Sequence, residues 1–138
     1  MADEVKEPRG LRPDGTPYRV LIVDDSIFIQ KQLRQILSSE QFEIIDAAAD
    51  GVEGVAKYKQ NLGKIDVVTL DITMPNMDGI SALEEIIKAD PKAKVLMISA
   101  LGKEDLVKKA LISGAKNYIV KPLDREKVLS RIFSVVSR

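Results

Sequence analysis

Three carboxylates, a hydroxyl and an ammonium each stand at the end of a short apolar run of this sequence. The run LIV precedes Asp24 and Asp25, and the run VVTL precedes Asp71. Ser99 ends the run KVLMIS, and Lys121 follows the run NYIV. Carboxylates held close together repel one another, and one of them takes up a proton unless a cation compensates the charge. These residue types therefore indicate a cation site, provided that the fold brings them together.

Such a site suits phosphoryl chemistry with magnesium. Mg²⁺ typically takes one or two protein carboxylates, several waters and a phosphate oxygen. With the metal neutralising an incoming phosphoryl group, one remaining carboxylate could attack the phosphorus and become an aspartyl phosphate. Lys121 and Ser99 would then bond the other phosphoryl oxygens.

Each of these residues, taken alone, also has an ordinary structural explanation. Asp24 or Asp25 can cap a helix that begins directly after them. Asp71 can belong to a turn, because Asp favours turns. Ser99 can be a turn hydroxyl and Lys121 a solvated surface lysine, although an unpaired ammonium beside an apolar run is costly. The functional interpretation depends on all of them meeting in one place.

The composition narrows the chemistry that is available. At 138 residues the chain is long enough for one domain with a single core. Its 21 basic and 21 acidic residues give a net charge of zero, which argues against a general affinity for nucleic acid or acidic membranes. The absence of Cys and His excludes disulfides, thiolate nucleophiles, Ser-His triads and His-ligated metals. Carboxylates, hydroxyls and lysines must carry any chemistry.

Residues 1–18 are predicted to form a flexible N-terminal extension to a domain that spans residues 19–138. The extension mixes charges with prolines and glycines and has few large apolar groups. It lacks the apolar core of a signal peptide, and no apolar run approaches the roughly 20 residues that a membrane span needs. The protein is therefore expected in the cytoplasm, without membrane insertion.

The apolar residues follow two alternating periods. Short β-branched runs predict strands buried on both faces, and stretches with a period of about 3.6 residues predict amphipathic helices between them. The strands are predicted at residues 19–23, 42–49, 66–70, 94–99 and 116–120. A weaker helix is predicted at residues 52–60. The last helix is predicted to begin at Asp124 as its N-cap and to face inward with Val128, Leu129, Ile132 and Phe133.

Five alternations of strand and helix predict an α/β fold, a doubly wound five-stranded parallel sheet with helices on both faces. In such sheets, ligands bind outside the carboxyl ends of the strands. All five candidate side chains stand at these ends. We therefore expect them to meet on one rim of the sheet.

Four short motifs occur in order along this domain: VDDS at 23–26, LDITMPNMDGI at 70–80, SA at 99–100 and VKP at 120–122. Together they resemble the receiver domain of two-component response regulators, and in particular its single-domain, CheY-like chemotaxis members. The resemblance covers residues 19–138. It implies a flavodoxin-like (CheY-like) sheet with strand order 2-1-3-4-5.

The resemblance also implies a role for each residue of the site. Asp71 would be the phosphoacceptor, Asp25 would bind Mg²⁺ directly, and Asp24 would hold the ion largely through water. The backbone carbonyl of Thr73 would complete the protein ligands of the metal, for which Mn²⁺ is an expected substitute. Lys121 would contact the phosphoryl oxygens.

A switch is implied as well. In this family the residue at the Ser99 position contacts the phosphoryl oxygens and moves toward them, and the aromatic at the Tyr118 position turns inward. The face made by the fourth helix, the fifth strand and the fifth helix changes as a result. From the sequence alone, Tyr118 is equally well explained as a half-buried aromatic of a strand.

The expected partners follow from the same resemblance. The phosphoryl donor would be a phosphohistidine on a CheA-like sensor histidine kinase. A downstream protein would receive the signal, with the flagellar motor switch as the leading expectation and a phosphatase as a further partner. The protein is expected to be a monomer. It is not expected to be an enzyme, except that it would catalyse its own phosphorylation and slow dephosphorylation.

Three alternatives compete with this function, and the residues argue against the second and the third. Other stand-alone receivers act in a phosphorelay or as phosphate sinks. A phosphatase of the haloacid-dehalogenase type uses the same residue types, but its nucleophile follows the first strand, and Thr73 stands where its acid/base Asp would be. A receiver-like interaction module that is never phosphorylated would lack Asp25, Asp71 or Lys121, and all three are present.

Two positions depart from the best-known receivers. Thr73 and Leu101 stand where many members carry side chains that position or exclude the attacking water. The apolar Leu101 leads to the hypothesis that water is blocked and the phosphorylated state is prolonged, which an unchanged dephosphorylation rate in Leu101→Glu would refute.

Overall fold

A computed structural model describes residues 7–138, in which strands and helices alternate along the chain. The β-branched runs form strands and the 3.6-period segments form helices, as their side-chain patterns predict. The elements are β1 (Arg19–Val23), α1 (Ile27–Ser38), β2 (Glu43–Ala48), α2 (Gly51–Gln60), β3 (Val67–Asp71), α3 (Gly79–Ala89), β4 (Val95–Ser99), α4 (Glu104–Ile112), β5 (Asn117–Val120) and α5 (Arg125–Val136).

The five strands form one parallel sheet in the order β2-β1-β3-β4-β5, which confirms the predicted fold class and strand order. β1 pairs with β2 on one side and with β3 on the other. The winding of the chain therefore reverses at β1, and the carboxyl ends of β1 and β3 lie side by side where doubly wound sheets form their ligand crevices.

Two apolar layers hold the helices against the sheet. One face, which includes Leu21 and Met97, packs against α2, α3 and α4, and the other, which includes Ile22 and Leu96, packs against α1 and α5. The three inner strands are buried almost throughout, but β2 and β5 keep partly exposed residues. The prediction that all five strands are buried on both faces was therefore wrong for these two, because each is an edge strand with a neighbour on one side only.

Side-chain caps begin four of the helices. Ser26, Asp50, Asp78 and Asp124 each accept a hydrogen bond from a backbone N–H of the first turn, and such a cap typically stabilises by about 1 kcal/mol. Phe133, predicted to face inward from α5, is 37% exposed, because it lies at the margin of the apolar stripe. Within residues 7–138, no helix combines the length and the apolar character needed to cross a bilayer.

The predicted flexible extension falls partly on residues 1–6, which lie outside the described residues. The rest of it packs against the domain. The Gly10 N–H donates to the Glu40 carbonyl at 2.7 Å, and a Cβ at Gly10 would lie 2.2 Å from the Phe42 nitrogen. Tyr18 is buried beside Phe42. A glycine that the sequence suggested as a sign of mobility instead permits close contact between two backbones.

Two arginines fasten this N-terminal segment, residues 7–18, by their side chains. Arg9 donates two hydrogen bonds to the Glu126 carboxylate of α5, at 2.8 and 3.0 Å, and a weaker one to Glu40. Arg12 pairs with Asp66 just before β3 and lies over the Tyr18 ring. Charged residues that indicated solvent exposure in the sequence thus find partners on the domain.

Candidate metal and phosphoryl site

The fold brings three carboxylates together at the carboxyl ends of β1 and β3. Asp24 and Asp25 follow the last residue of β1, and Asp71 ends β3. Carboxylate oxygens of the three residues lie within 4.8 Å of one another. Asp24 and Asp71 are buried, whereas Asp25 is exposed. The cluster is therefore open to solvent on the Asp25 side, where an ion or a phosphoryl group can enter.

Lys121, directly after β5, points its ammonium into the same cluster. Its Nζ lies 3.4 Å from Asp24 Oδ2 and 3.6 Å from Asp71 Oδ2. One cation thus faces three carboxylates, and the negative charge is only partly balanced. The prediction that Lys121 is more than a solvated surface lysine agrees with this position.

The buried Asp24 carboxylate lacks part of its hydrogen bonding. Oδ1 accepts the Ser26 N–H at 2.9 Å, so Asp24 braces the turn before α1 while Ser26 caps the helix. Oδ2 accepts no hydrogen bond within the described part of the chain, and only the Lys121 ion pair approaches it. Burial raises the pKa of Asp24 despite the Ser26 and Lys121 contacts. An additional cation would satisfy this oxygen.

The pKa of Asp71 is raised by the same environment. Burial and the neighbouring Asp24 carboxylate raise the pKa of Asp71 to about 7, and the Lys121 ammonium opposes this rise only in part. The ionised forms of two buried carboxylates are therefore costly without a further positive charge. Oxygen donors, partial burial and an unbalanced negative charge are what a hard divalent ion requires. The residues present fit Mg²⁺.

The loop from β3 to α3, residues 72–78, carries Thr73 past the cluster. The Gly79 N–H donates to the Ile72 carbonyl at 2.6 Å, and a Cβ at Gly79 would lie 2.1 Å from the Asp71 carbonyl oxygen. Only glycine permits this close return of the chain beside Asp71. The Thr73 side chain is exposed, which leaves its predicted role to the backbone carbonyl.

Sequence reasoning missed one residue that holds this loop. Asp50, two residues after the end of β2, was not among the candidate residues, but its Oδ2 accepts a hydrogen bond from Asn76 Nδ2 at 2.8 Å while its Oδ1 caps α2. The following Gly51 allows Met77 to approach, since a Cβ there would lie 2.4 Å from the Met77 oxygen. The pairing joins two loops, and only the Asp-Gly pattern of a helix start hinted at it.

Ser99 and Tyr118 lie beside a cavity between α4 and β5. Ser99 is buried, and its Oγ donates to the Ala100 carbonyl at 2.8 Å. Tyr118 is half-buried and lines the same cavity of about 390 Å³. Leu101 is 81% exposed, so its side chain is not packed against the rest of the domain.

Comparison with known proteins places this arrangement in a family. The family model described as the response regulator receiver domain matches residues 20–133. The chain is a member of the response regulator receiver family. This receiver domain carries the acidic cluster, Ser99 and Lys121 in the order that its motifs predicted, and the family assignment removes the haloacid-dehalogenase alternative.

Similar proteins narrow the relationship further. The receiver domain is 65% identical over 129 residues to the chemotaxis protein CheY of Treponema pallidum, covering 94% of this chain and 90% of that protein. It is 44% identical to CheY of Bacillus subtilis, covering 83% of this chain and 94% of the relative. A solved CheX-CheY-BeF3-Mg²⁺ complex from Borrelia burgdorferi contains a chain of 62% identity, with a TM-score of 0.91 and coverage of 94% and 98%. This receiver domain is thus a CheY-like chemotaxis response regulator.

Proposed function

We propose that this receiver domain accepts a phosphoryl group on Asp71 from a phosphohistidine of a CheA-like sensor kinase, with Mg²⁺ bound, and that the phosphorylated form binds a downstream chemotaxis protein. The observation that carries the proposal is the convergence of Asp24, Asp25, Asp71 and Lys121 on one rim. Three chain segments that are distant in sequence contribute to it, which a set of independent turn or cap residues would not require.

Asp71 acts as the nucleophile of the transfer. One carboxylate oxygen forms a bond to phosphorus while the bond from phosphorus to the donor imidazole nitrogen breaks and the imidazole leaves. Lys121, already 3.6 Å from the Asp71 oxygen, stabilises the negative charge of the phosphoryl oxygens. The nucleophile must be ionised, and Lys121 favours that form.

Asp24, Asp25, Asp71 and the Thr73 carbonyl would hold Mg²⁺, or Mn²⁺ as a substitute. When bound, the ion supplies positive charge that offsets the carboxylates and the phosphoryl oxygens. Asp24 supports this binding by a carboxylate oxygen that has no hydrogen bond. Asp25 supports it by its exposed position at the open side of the cluster.

Phosphorylation would be transmitted through Ser99. A hydrogen bond from its Oγ to a phosphoryl oxygen would replace the present one to the Ala100 carbonyl, and the Tyr118 ring would turn into the adjoining cavity. The face of α4, β5 and α5 would then bind the downstream protein, with the flagellar motor switch as the leading candidate. A CheX-like protein is a further partner, because the Borrelia burgdorferi relative was solved with CheX. The protein would act as a cytoplasmic monomer, and a phosphatase would reset it.

Intact mass spectrometry tests the phosphoryl transfer directly. The protein is incubated with Mg²⁺ and acetyl phosphate beside two controls, the variant Asp71→Asn and a sample with EDTA. We expect a gain of one phosphoryl group that disappears in both controls. A gain of equal size in Asp71→Asn would place the phosphoryl group elsewhere, and a wild-type protein that neither gains mass nor binds Mg²⁺ would leave the interaction-module alternative.

A further inference from the structure

The side chain of Arg131 on α5 makes two contacts with Tyr118 of β5. Its Nη1 donates a hydrogen bond to the Tyr118 carbonyl at 2.7 Å. Its guanidinium carbon lies 5.3 Å from the centre of the Tyr118 ring, within the range of a cation–π interaction. Both contacts join α5 to the edge strand of the sheet, and Arg131 is half-buried where it makes them.

The cavity beside Tyr118 has room for the ring in a second position. Its volume is about 390 Å³, its apolar lining includes Val107, Leu111 and Val120, and Ser99 also lines it. A cavity of roughly 150 Å³ already holds a benzene molecule. Arg131 is not among the described residues that line this space. The guanidinium therefore contacts the ring from outside the cavity.

These contacts favour one of the two positions of the ring. An attraction between the guanidinium and the ring exists only while Tyr118 remains beside Arg131, and it is lost when the ring enters the cavity. The hydrogen bond to the Tyr118 carbonyl fixes the guanidinium at this height of the strand, so that Arg131 does not follow the ring. A contact made in only one state shifts the equilibrium toward that state.

We propose that Arg131 is a positioning residue that holds Tyr118 out of the cavity and so sets the threshold of the switch. The inference rests on the proposed function, since it concerns the regulation of the same site. The expected bias is about two- to fivefold in the ratio of the two ring positions, the range of a partly exposed cation–π pair. By thermodynamic linkage, the same factor opposes any ligand of the acidic cluster that draws the ring inward.

Fluorine NMR of protein labelled with 3-fluorotyrosine measures the ring position without any phosphoryl donor. The chain has three tyrosines, and the variant Tyr118→Phe identifies the resonance of Tyr118. The change of that resonance between H₂O and D₂O reports the exposure of the ring. The test variant is Arg131→Met, with Arg131→Lys as the variant that keeps the cation and Lys127→Met as a control for loss of positive charge at an exposed position of the same helix.

We expect Arg131→Met to shift the Tyr118 resonance and to reduce its solvent isotope effect, because the ring spends more time in the cavity. Arg131→Lys should restore most of the wild-type signal, and Lys127→Met should leave it unchanged. An unchanged Tyr118 resonance in Arg131→Met, or an equal change in Lys127→Met, overturns the proposal.

A titration with beryllium fluoride and Mg²⁺ then tests the consequence for the switch. Arg131→Met should bind the phosphoryl analogue two- to fivefold more tightly than the wild type. An affinity equal to that of the wild type, in a variant whose ring has moved, contradicts the role in setting the threshold. If the wild-type protein binds no beryllium fluoride at all, the proposed phosphoryl chemistry fails, while the comparison of metal-free variants still decides whether Arg131 positions Tyr118.

Discussion

At the scale of single residues, the acidic cluster is held in an unfavourable charge state. Asp24 and Asp71 are buried beside one another, and one ammonium does not balance them. Burial and like charge both disfavour ionisation, which is why the pKa of Asp71 rises to about 7. The repulsion and burial of these carboxylates favour a bound cation, and they also lower the stability of the fold when no metal is bound.

The sign of the pH dependence follows from this shift. Between the ordinary carboxyl pKa of 3.8 and about 7, folded Asp71 keeps a proton that the unfolded chain has released. The free energy of unfolding contributed by this group therefore falls as pH rises through that window. We expect Asp71→Asn to be more stable than the wild type at pH 8 without metal, by up to about 4 kcal/mol, the equivalent of a pKa raised from 3.8 to about 7. At pH 4 the difference should largely vanish.

Urea denaturation of both proteins in EDTA at several pH values measures the effect. Asp105→Asn is the control, because this exposed carboxylate lies in the first turn of α4 and is not part of the acidic cluster. A gain that does not depend on pH would point to better packing of the amide and not to relief of charge.

At the scale of elements, the strands and helices could be predicted from the sequence, but some contacts between them could not. The runs at residues 19–23 and 94–99 are strands because their β-branched residues fill both faces of a sheet. The packing of residues 7–18 against the domain was not predictable, because Pro, Gly and charge indicate a loop whether or not the loop finds partners. The ion pair of Arg9 with Glu126 joins residues that no local pattern connects.

Substitution of Gly10 should release the N-terminal segment. A Cβ at this position would lie 2.2 Å from the Phe42 nitrogen and 2.3 Å from the Glu40 oxygen, so that one of the two backbones must move. In the variant Gly10→Ala we expect trypsin to cleave after Arg9 many times faster than in the wild type. Arg9 is protected in the native fold by its contacts with Glu40 and Glu126. The rest of the domain should stay folded, because Tyr18 is the one residue of this segment that belongs to the two apolar layers.

Mass spectrometry of timed digests checks this prediction, with circular dichroism to confirm the fold. Lys31→Ala, at an exposed position of α1, is the control for a substitution outside the segment. Equal cleavage after Arg9 in the wild type and in Gly10→Ala would show that the segment is already free in solution.

At the scale of the whole molecule, the sheet is what turns scattered residues into a site. Parallel strands end on the same rim, so the positions of Asp71 and Lys121 could be predicted once the strands had been recognised. The Asn76 contact with Asp50 and the Arg131 contact with Tyr118 could not be predicted, because they depend on how loops and helices pack against the ends and edges of the strands. A sequence pattern defines which residues reach the rim, and packing then decides which partners they find there.

Metal binding should therefore stabilise the molecule as a whole. An ion that binds only the folded cluster adds RT ln(1 + [L]/Kd), about 2.7 kcal/mol at a hundredfold excess over the dissociation constant. We expect Mg²⁺ to raise the melting temperature of the wild type at neutral pH, and EDTA to reverse the rise. The rise should be much smaller in Asp25→Asn, which loses the exposed carboxylate of the cluster. It should be unchanged in Asp105→Asn, which loses a carboxylate in the first turn of α4.

Calorimetry with NaCl at matched ionic strength separates binding of the ion at the site from general screening of charge. An equal rise in NaCl, or an undiminished one in Asp25→Asn, would mean that the rim does not hold the ion.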